Sequence, residues 1–427
     1  MFRTPPQLHL PRGSVFVEDP DEEIFLLYTR KLQTSAPSTR AQAAGNDAAD
    51  EHVQTDGLGF ASEAGEVVPV TLTVTDPRIS IDTKSVPEGQ KGGRKSGPRR
   101  KATATATNGL AKEVTVSVEL HQALDALRHR KGDTGSVLWR LSLHLAKYLL
   151  QSHHFPDPEH PPLLPDLARS TILELGSGTG FLGIALRDLV LSPPLATKPN
   201  PASAAPSGRW LFSDQLANLP LVVRNLRANG VLEPPSSPPL DATALKSPRP
   251  KLRSLPSSDG SSSQRDSPRS SAVRGGIKRP RERVEVLELD WLAEAAAWDR
   301  EKARPKIIAR AEIGAESAEA AEDGPLMILA VDCIYNPSLS APLAKTILRQ
   351  ARVRGDRQST VVVVASELRD EDPLEAFLRA WIDEARGEWT IARLGWEDEA
   401  EQRTAGLLAS SQYVVWAAWP NIQSGQP

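Results

Sequence analysis

The sequence predicts an α/β fold built on a largely parallel sheet. Three observations lead there: short β-branched runs alternate with helix-length segments, a glycine turn closes one of those runs, and a carboxylate closes the next. Such alternation covers both faces of a parallel sheet with helices.

The elements follow in chain order. Residues 1–60 read as a mostly irregular segment holding one apolar patch, Ile24 to Tyr28, that docks on the main body. Two β-branched runs, 67–74 and 114–120, read as a hairpin within an extension at 61–135. Between them, at about 84–110, lies a glycine-rich basic segment too polar to pack. Val137, Leu138, Leu141, Leu145, Tyr148 and Leu149 recur at helical spacing and predict a helix over 136–153.

The main domain is expected at 136–419, followed by a tail at 420–427. Its strands read as 171–175, 210–214, 284–291, 326–332, 359–366, 389–394 and 412–419, seven in all, with helices near 181–191, 216–229, 340–353 and 373–386. The last two strands have no helix between them and are expected to form an antiparallel hairpin at the sheet edge. Segments at about 192–208, 231–283 and 309–324 read as disordered insertions, because proline, serine or alanine and glutamate displace the apolar pattern there.

Composition narrows the classes. The 36 prolines agree with a core interrupted by insertions, and the formal net charge of -3 supplies no global attraction to nucleic acid or an anionic membrane. A single cysteine, Cys333, excludes an internal disulfide and a cysteine-based zinc site, which suits a reducing compartment, the cytosol or the nucleus. No apolar run approaches the roughly 18 to 20 residues of a membrane span, and the first residues lack the apolar core of a signal peptide.

The chemistry gathers at ELGSGTGFLG, Glu174 to Gly183, where a strand ends and a helix begins. Nucleotide-type ligands meet a parallel sheet at such a place. Gly176, Gly178 and Gly180 permit a sharp turn and close approach of a ligand. The spacing of Gly178, Gly180 and Gly183 also fits a dinucleotide enzyme, and Asp214 after the next strand would receive a ribose in either case. Glu174 favours S-adenosyl-L-methionine, whose amino-acid part and sulfonium a carboxylate balances, whereas it would repel a pyrophosphate.

ILELGSGTGFLGIAL, the SDQ triplet from Ser213, ELDW ending at Trp291 and VDCIYN from Val331 together resemble the seven-strand, Rossmann-like protein-lysine methyltransferases often called methyltransferase family 16. Within it the likeness is to fungal ribosomal lysine methyltransferases that act on a large-subunit ribosomal protein. It covers about residues 114–419 apart from the insertions. The resemblance implies that Gly176, Ser177 and Gly178 form the cofactor loop, that Asp214 binds the ribose, and that Trp139 lies beside the cofactor. It further implies that Trp291 flanks the adenine and that Val331 contacts the cofactor through its backbone. Asp332 and Tyr335 match the family's Asp-x-x-Tyr motif at the entry for the target lysine, Asp332 orienting the amine and Tyr335 walling the channel or holding Asp332. The implied partner is a protein substrate, a ribosomal protein, with RNA contact through the basic insertions.

Methyltransferases acting on planar base or amide nitrogens carry prolines between the acidic or amide residue and the tyrosine, where this chain has Cys333 and Ile334. That departure favours lysine. A nucleic-acid methyltransferase and a non-catalytic binding protein on the same fold stay open at this point.

Overall fold

The computed structural model describes residues 4–35, 65–76, 113–129, 134–157, 160–191, 208–233, 283–303, 325–355, 359–395, 406–409 and 412–421. The described residues up to Leu232 and from Arg283 onward form one compact unit. The predicted basic segment at about 84–110 and the insertion at 309–324 lie wholly outside them, and those at 192–208 and 231–283 almost wholly.

The strands of the main sheet are β1 (Val15–Phe16), β4 (Thr171–Leu175), β5 (Arg209–Asp214), β6 (Val284–Glu288), β7 (Leu326–Val331), β8 (Val361–Glu367), β9 (Trp389–Arg393) and β10 (Tyr413–Pro420). Their order is β1-β9-β10-β8-β7-β4-β5-β6. From β8 to β6 all neighbours are parallel, while β10 is antiparallel to both β8 and β9. This is a Rossmann-like methyltransferase architecture. Between them the two faces hold two apolar clusters, and residues alternate between these along each strand: Ile172, Trp210 and Phe212 on one side, Leu173, Leu175 and Leu211 on the other.

One feature of the sheet, its strand count, differs from the sequence-based expectation. The pair β9–β10 is antiparallel at this end of the sheet, as expected, with β10 the inner strand between β8 and β9 and all eight of its residues buried, as a strand covered on both faces requires. The two-residue strand β1 then flanks β9, which makes eight strands rather than seven. Helix α1 (Pro20–Ser35) follows it, so the N-terminal segment holds more regular structure than expected. Asp19 starts α1 by accepting the amides of Asp21 and Glu22, and Ile24 and Leu27, one turn apart, bury against the sheet. The buried Glu23 fixes the helix: it pairs with Arg393 at 3.0 Å and accepts the Trp416 indole N–H at 3.0 Å.

Strands β2 (Val67–Thr75) and β3 (Glu113–His121) pair antiparallel over nine residues, apart from the main sheet. Their alternate residues Leu72, Val74, Val118 and Leu120 join the core beneath helix α3 (Arg140–His154). Asn225 and Asn229 of α6 (Leu219–Ala228 and its cap) bond the backbone of β3 at Glu119 and His121, locking the pair onto the main body.

The predicted helix after the glycine loop is two short ones, α4 (Phe181–Ala185) and α5 (Arg187–Val190). The run 284–291 does not stay extended to Trp291. β6 stops at Glu288 and α7 (Trp291–Ala303) begins, because Asp290 caps it by accepting the amides of Leu292 and Ala293. Helices α8 (Pro337–Arg354) and α9 (Glu371–Ala385) complete the layer that carries α1 and α7. No helix among the described residues is long and apolar enough to cross a membrane.

Candidate functional site

From β4 the chain crosses to β5 on one side, while the strand on its other side is β7, so the order reverses between β4 and β7. The loops leaving their carboxyl ends diverge and open a cleft. All ten residues singled out from the sequence line it: Trp139, Glu174, Gly176, Ser177, Gly178, Asp214, Trp291, Val331, Asp332 and Tyr335.

The glycine loop needs its glycines for space as well as for conformation. Gly176 and Gly178 have φ of 63° and 56°. A Cβ on Gly176 would stand 2.9 Å from Cys333 Sγ and 3.3 Å from the Trp291 ring, and one on Gly178 would stand 2.9 Å from the Gly135 carbonyl. Ser177 ties the loop to β5, since its Oγ accepts the Ser213 amide at 3.0 Å. Asp214 Oδ2 accepts the Gly178 amide at 2.8 Å, and Oδ1 accepts the Gln215 amide at 2.8 Å and the Asn218 side-chain amide at 2.9 Å. Gly135 was not legible as a site residue, because only the fold stacks its segment on the loop, and Asn218, four residues after Asp214, carried no motif of its own.

Glu174 is buried, and its Oε2 accepts the Trp210 indole N–H at 2.9 Å. Burial pushes its carboxyl up to about 8; the Trp210 hydrogen bond lowers it and the nearby Asp214 charge raises it. Cys333 is likewise raised by burial among Asp214, Asp332 and Glu174, and its thiol donates to the Leu175 carbonyl at 3.2 Å. It packs as a small apolar residue behind Gly176 rather than as a nucleophile.

Asp332 has left-handed backbone, φ 58°, immediately after β7. Its amide donates to the Ala365 carbonyl at 2.8 Å, extending the β7–β8 ladder. The sequence-based expectation gave its carboxylate to a target amine, with Tyr335 as the residue that could hold it. The structure adds a partner: the Arg369 guanidinium donates to Oδ1 at 2.9 Å and to Oδ2 at 2.7 Å. Arg369 also bonds Glu367 Oε2 at 2.7 Å, and its guanidinium lies 4.9 Å over the Trp139 ring. The Trp139 indole N–H donates to the Thr134 carbonyl at 2.8 Å. Arg369 had no signal of its own in the sequence; only the pairing of β7 with β8 brings it to Asp332.

Four carboxylates, Glu174, Asp214, Asp290 and Asp332, line the cleft, and no lysine or arginine is among its described lining residues. Such a lining suits a cationic ligand and disfavours a pyrophosphate. Among the described residues no cluster of His, Cys, Asp and Glu is arranged to hold a metal.

Residues 119–230 match a family model described as lysine methyltransferase. The matched segment runs from β3 to just past α6 and holds Trp139, the glycine loop and Asp214; Trp291, Val331, Asp332 and Tyr335 lie beyond it. The similarity supports a methyltransferase, and the family generally depends on S-adenosylmethionine. The chain is also 26% identical over 262 residues to a Schizosaccharomyces pombe protein named diaminohydroxyphosphoribosylamino-pyrimidine deaminase. The alignment covers 61% of this chain and 41% of that protein, so the chain spans less than half of its relative's length.

Proposed function

We propose that the protein is an S-adenosylmethionine-dependent protein-lysine N-methyltransferase acting on a lysine of a large-subunit ribosomal protein. The observation that carries the proposal is the cleft itself: a glycine loop, a ribose-type carboxylate and the Asp332–Tyr335 pair open into one carboxylate-lined space. In this reading Gly176, Ser177 and Gly178 receive the amino-acid part of the cofactor, Asp214 the ribose hydroxyls, Trp291 and Trp139 flank the ligand, and Val331 meets it through its backbone. Glu174, whose carboxyl is raised to about 8, balances its positive charge in the ionised form.

The cofactor supplies a methyl group on a positive sulfur. The protein's own task is to present a neutral lysine amine in line behind it. A lysine with pKa about 10.4 costs roughly 4.6 kcal/mol to present neutral at pH 7. Partial desolvation against Tyr335 and Trp139, beside the sulfonium, reduces that cost. Asp332 then orients the amine through its N–H groups and Tyr335 walls the channel, so that positioning supplies most of the rate. The basic insertions in the sequence, outside the described residues, are suited to RNA beside a ribosomal target, and a cytosolic or nuclear location fits that reading.

The test is incubation with methyl-labelled S-adenosylmethionine and ribosomes from cells lacking the protein, followed by separate protease and ribonuclease digestion. Label that follows a large-subunit protein supports the proposal. Label that follows RNA replaces it with a nucleic-acid methyltransferase, and cofactor binding without transfer replaces it with a non-catalytic binding protein.

A further inference from the structure

Resting on the lysine reading of the cleft, we propose that Arg369 is a positioning residue of the methyl-acceptor site. It holds the Asp332 carboxylate in one orientation and cancels its charge, so that the target amine is received uncharged.

Asp332 is the acidic group placed to meet an incoming amine, and an unpaired carboxylate there would work against the chemistry. A negative charge within about 4 to 6 Å stabilises an ammonium and raises its pKa by about 1 to 3 units. The nitrogen would then arrive protonated, with no lone pair for the methyl carbon. The bidentate guanidinium removes that obstacle; with the Glu367 amide also donating to Oδ1 at 3.4 Å, Oδ2 is the oxygen whose second lone pair is left to accept from the amine. The Asp332 side chain is 1% exposed and that of Arg369 29%, so the pair is shielded enough for compensation to be effective. Glu367 takes a second edge of the guanidinium and Trp139 its face, which fixes Arg369 against β8 and the start of α3. A lysine in its place would reach one carboxylate oxygen as a point charge but could not span both.

The ionisable groups facing the pair are Glu367 of β8, Tyr413 of β10, Arg140 and His144 of α3, and Tyr335 and Cys333 beyond β7. His144 is pushed down by burial, and Tyr413 and Cys333 are pushed up by it, so those three stay neutral between about pH 7 and 9. Glu174 titrates in that window, but equally in wild type and variants, and drops out of the comparison.

The experiment measures initial methyl transfer from labelled S-adenosylmethionine to a ribosomal-protein fraction from cells lacking the protein. It is run at several acceptor dilutions and from about pH 6.5 to 9.5, for wild type, Arg369→Met, Arg369→Gln and Arg369→Lys. Cofactor binding is measured calorimetrically for each. The expected result is a maximal rate about tenfold lower near pH 7 for both neutral variants, recovering toward alkaline pH, with the profile displaced upward by about one pH unit. The acceptor concentration for half-maximal rate falls rather than rises, cofactor affinity changes less than about threefold, and Arg369→Lys restores most of the profile. If Arg369→Met fails to bind cofactor, Arg369→Gln, which keeps a donor to Asp332 but no charge, carries the comparison. An equal loss at every pH, or an undisplaced profile in a neutral variant that binds cofactor, overturns the inference. Wild type that binds cofactor and labels no lysine sinks the lysine reading, and this inference with it.

Discussion

The Gly178 amide donates to Asp214 Oδ2 at 2.8 Å, so the glycine loop after β4 and the carboxylate at the end of β5 form one unit. Two segments that in the proposed reading each receive part of the cofactor are thereby fixed relative to one another before it arrives. This removes part of the ordering cost from binding.

Gly178→Ala is expected to weaken cofactor binding. The new methyl would meet the Gly135 carbonyl at 2.9 Å from a backbone at φ 56°, which displaces either the loop or residues 134–139. Calorimetry with S-adenosylmethionine should show at least a tenfold loss, and thermal denaturation a cost of about 1 to 3 kcal/mol. Unaltered binding would contradict the close packing described.

Asp214→Ala leaves three donors, on Gly178, Gln215 and Asn218, without their acceptor. A stability loss of about 1 to 3 kcal/mol is expected together with a cofactor affinity lower by about a hundredfold. Asp214→Asn retains one acceptor oxygen and should fall between. A binding loss without any stability loss would mean that the carboxylate serves only the ligand.

Glu174 makes a signed pH prediction. With its carboxyl raised to about 8, the folded protein keeps a proton that the unfolded chain releases near 4.5. The resulting stability is full below about 4.5 and is lost as pH rises through about 8. Glu174→Gln cannot ionise, so its melting temperature should gain on wild type across that window, by the equivalent of about 2 to 4 kcal/mol at pH 9. Its affinity for the cationic cofactor should be about tenfold weaker at pH 9. In wild type that affinity should rise from pH 6.5 to 8.5, while in the variant it should stay flat. Parallel pH dependence in the two proteins would count against Glu174 as the charge partner.

Glu23→Ala tests the docking of α1. Removing the carboxylate strands the Arg393 guanidinium and the buried Trp416 N–H, at an expected cost of about 3 kcal/mol in chemical denaturation. Cofactor affinity should change little, because none of these residues lines the cleft. A cost below about 0.5 kcal/mol would show that α1 is held by its apolar face alone.

Legibility in the sequence tracked the range of the interactions. The parallel strands were readable because a strand covered on both faces is a run of apolar residues, as in VVVVAS, and the glycine loop because three glycines in five residues have few other uses. Inner placement of β10 was not readable: an eight-residue apolar run says that a strand is covered, not which strands lie beside it. Helix α1 carried its signals, Asp19 before Pro20 and the Ile24, Leu27, Tyr28 spacing, but within a segment whose remainder hides them. Trp291 was read as the end of a strand because VEVLELDW interleaves apolar with acidic residues up to the tryptophan, while the Asp290 cap that turns it into a helix is a local hydrogen bond. Arg369 and Gly135 belong to the site only through contacts across 30 or more residues, which no local pattern encodes, and Asn218, four residues after Asp214, is a single polar residue with no motif to mark it.

The most direct test of the central claim is the identity of the methylated product. Purified protein and its Asp332→Asn variant are incubated with methyl-labelled S-adenosylmethionine and large-subunit ribosomal proteins lacking prior methylation, and the products are hydrolysed and separated as free amino acids. Label in methylated lysine that falls by at least about a hundredfold with Asp332→Asn, while cofactor binding persists, is the result expected. Label in any other amino acid, or in lysine at an undiminished rate with Asp332→Asn, would contradict the account.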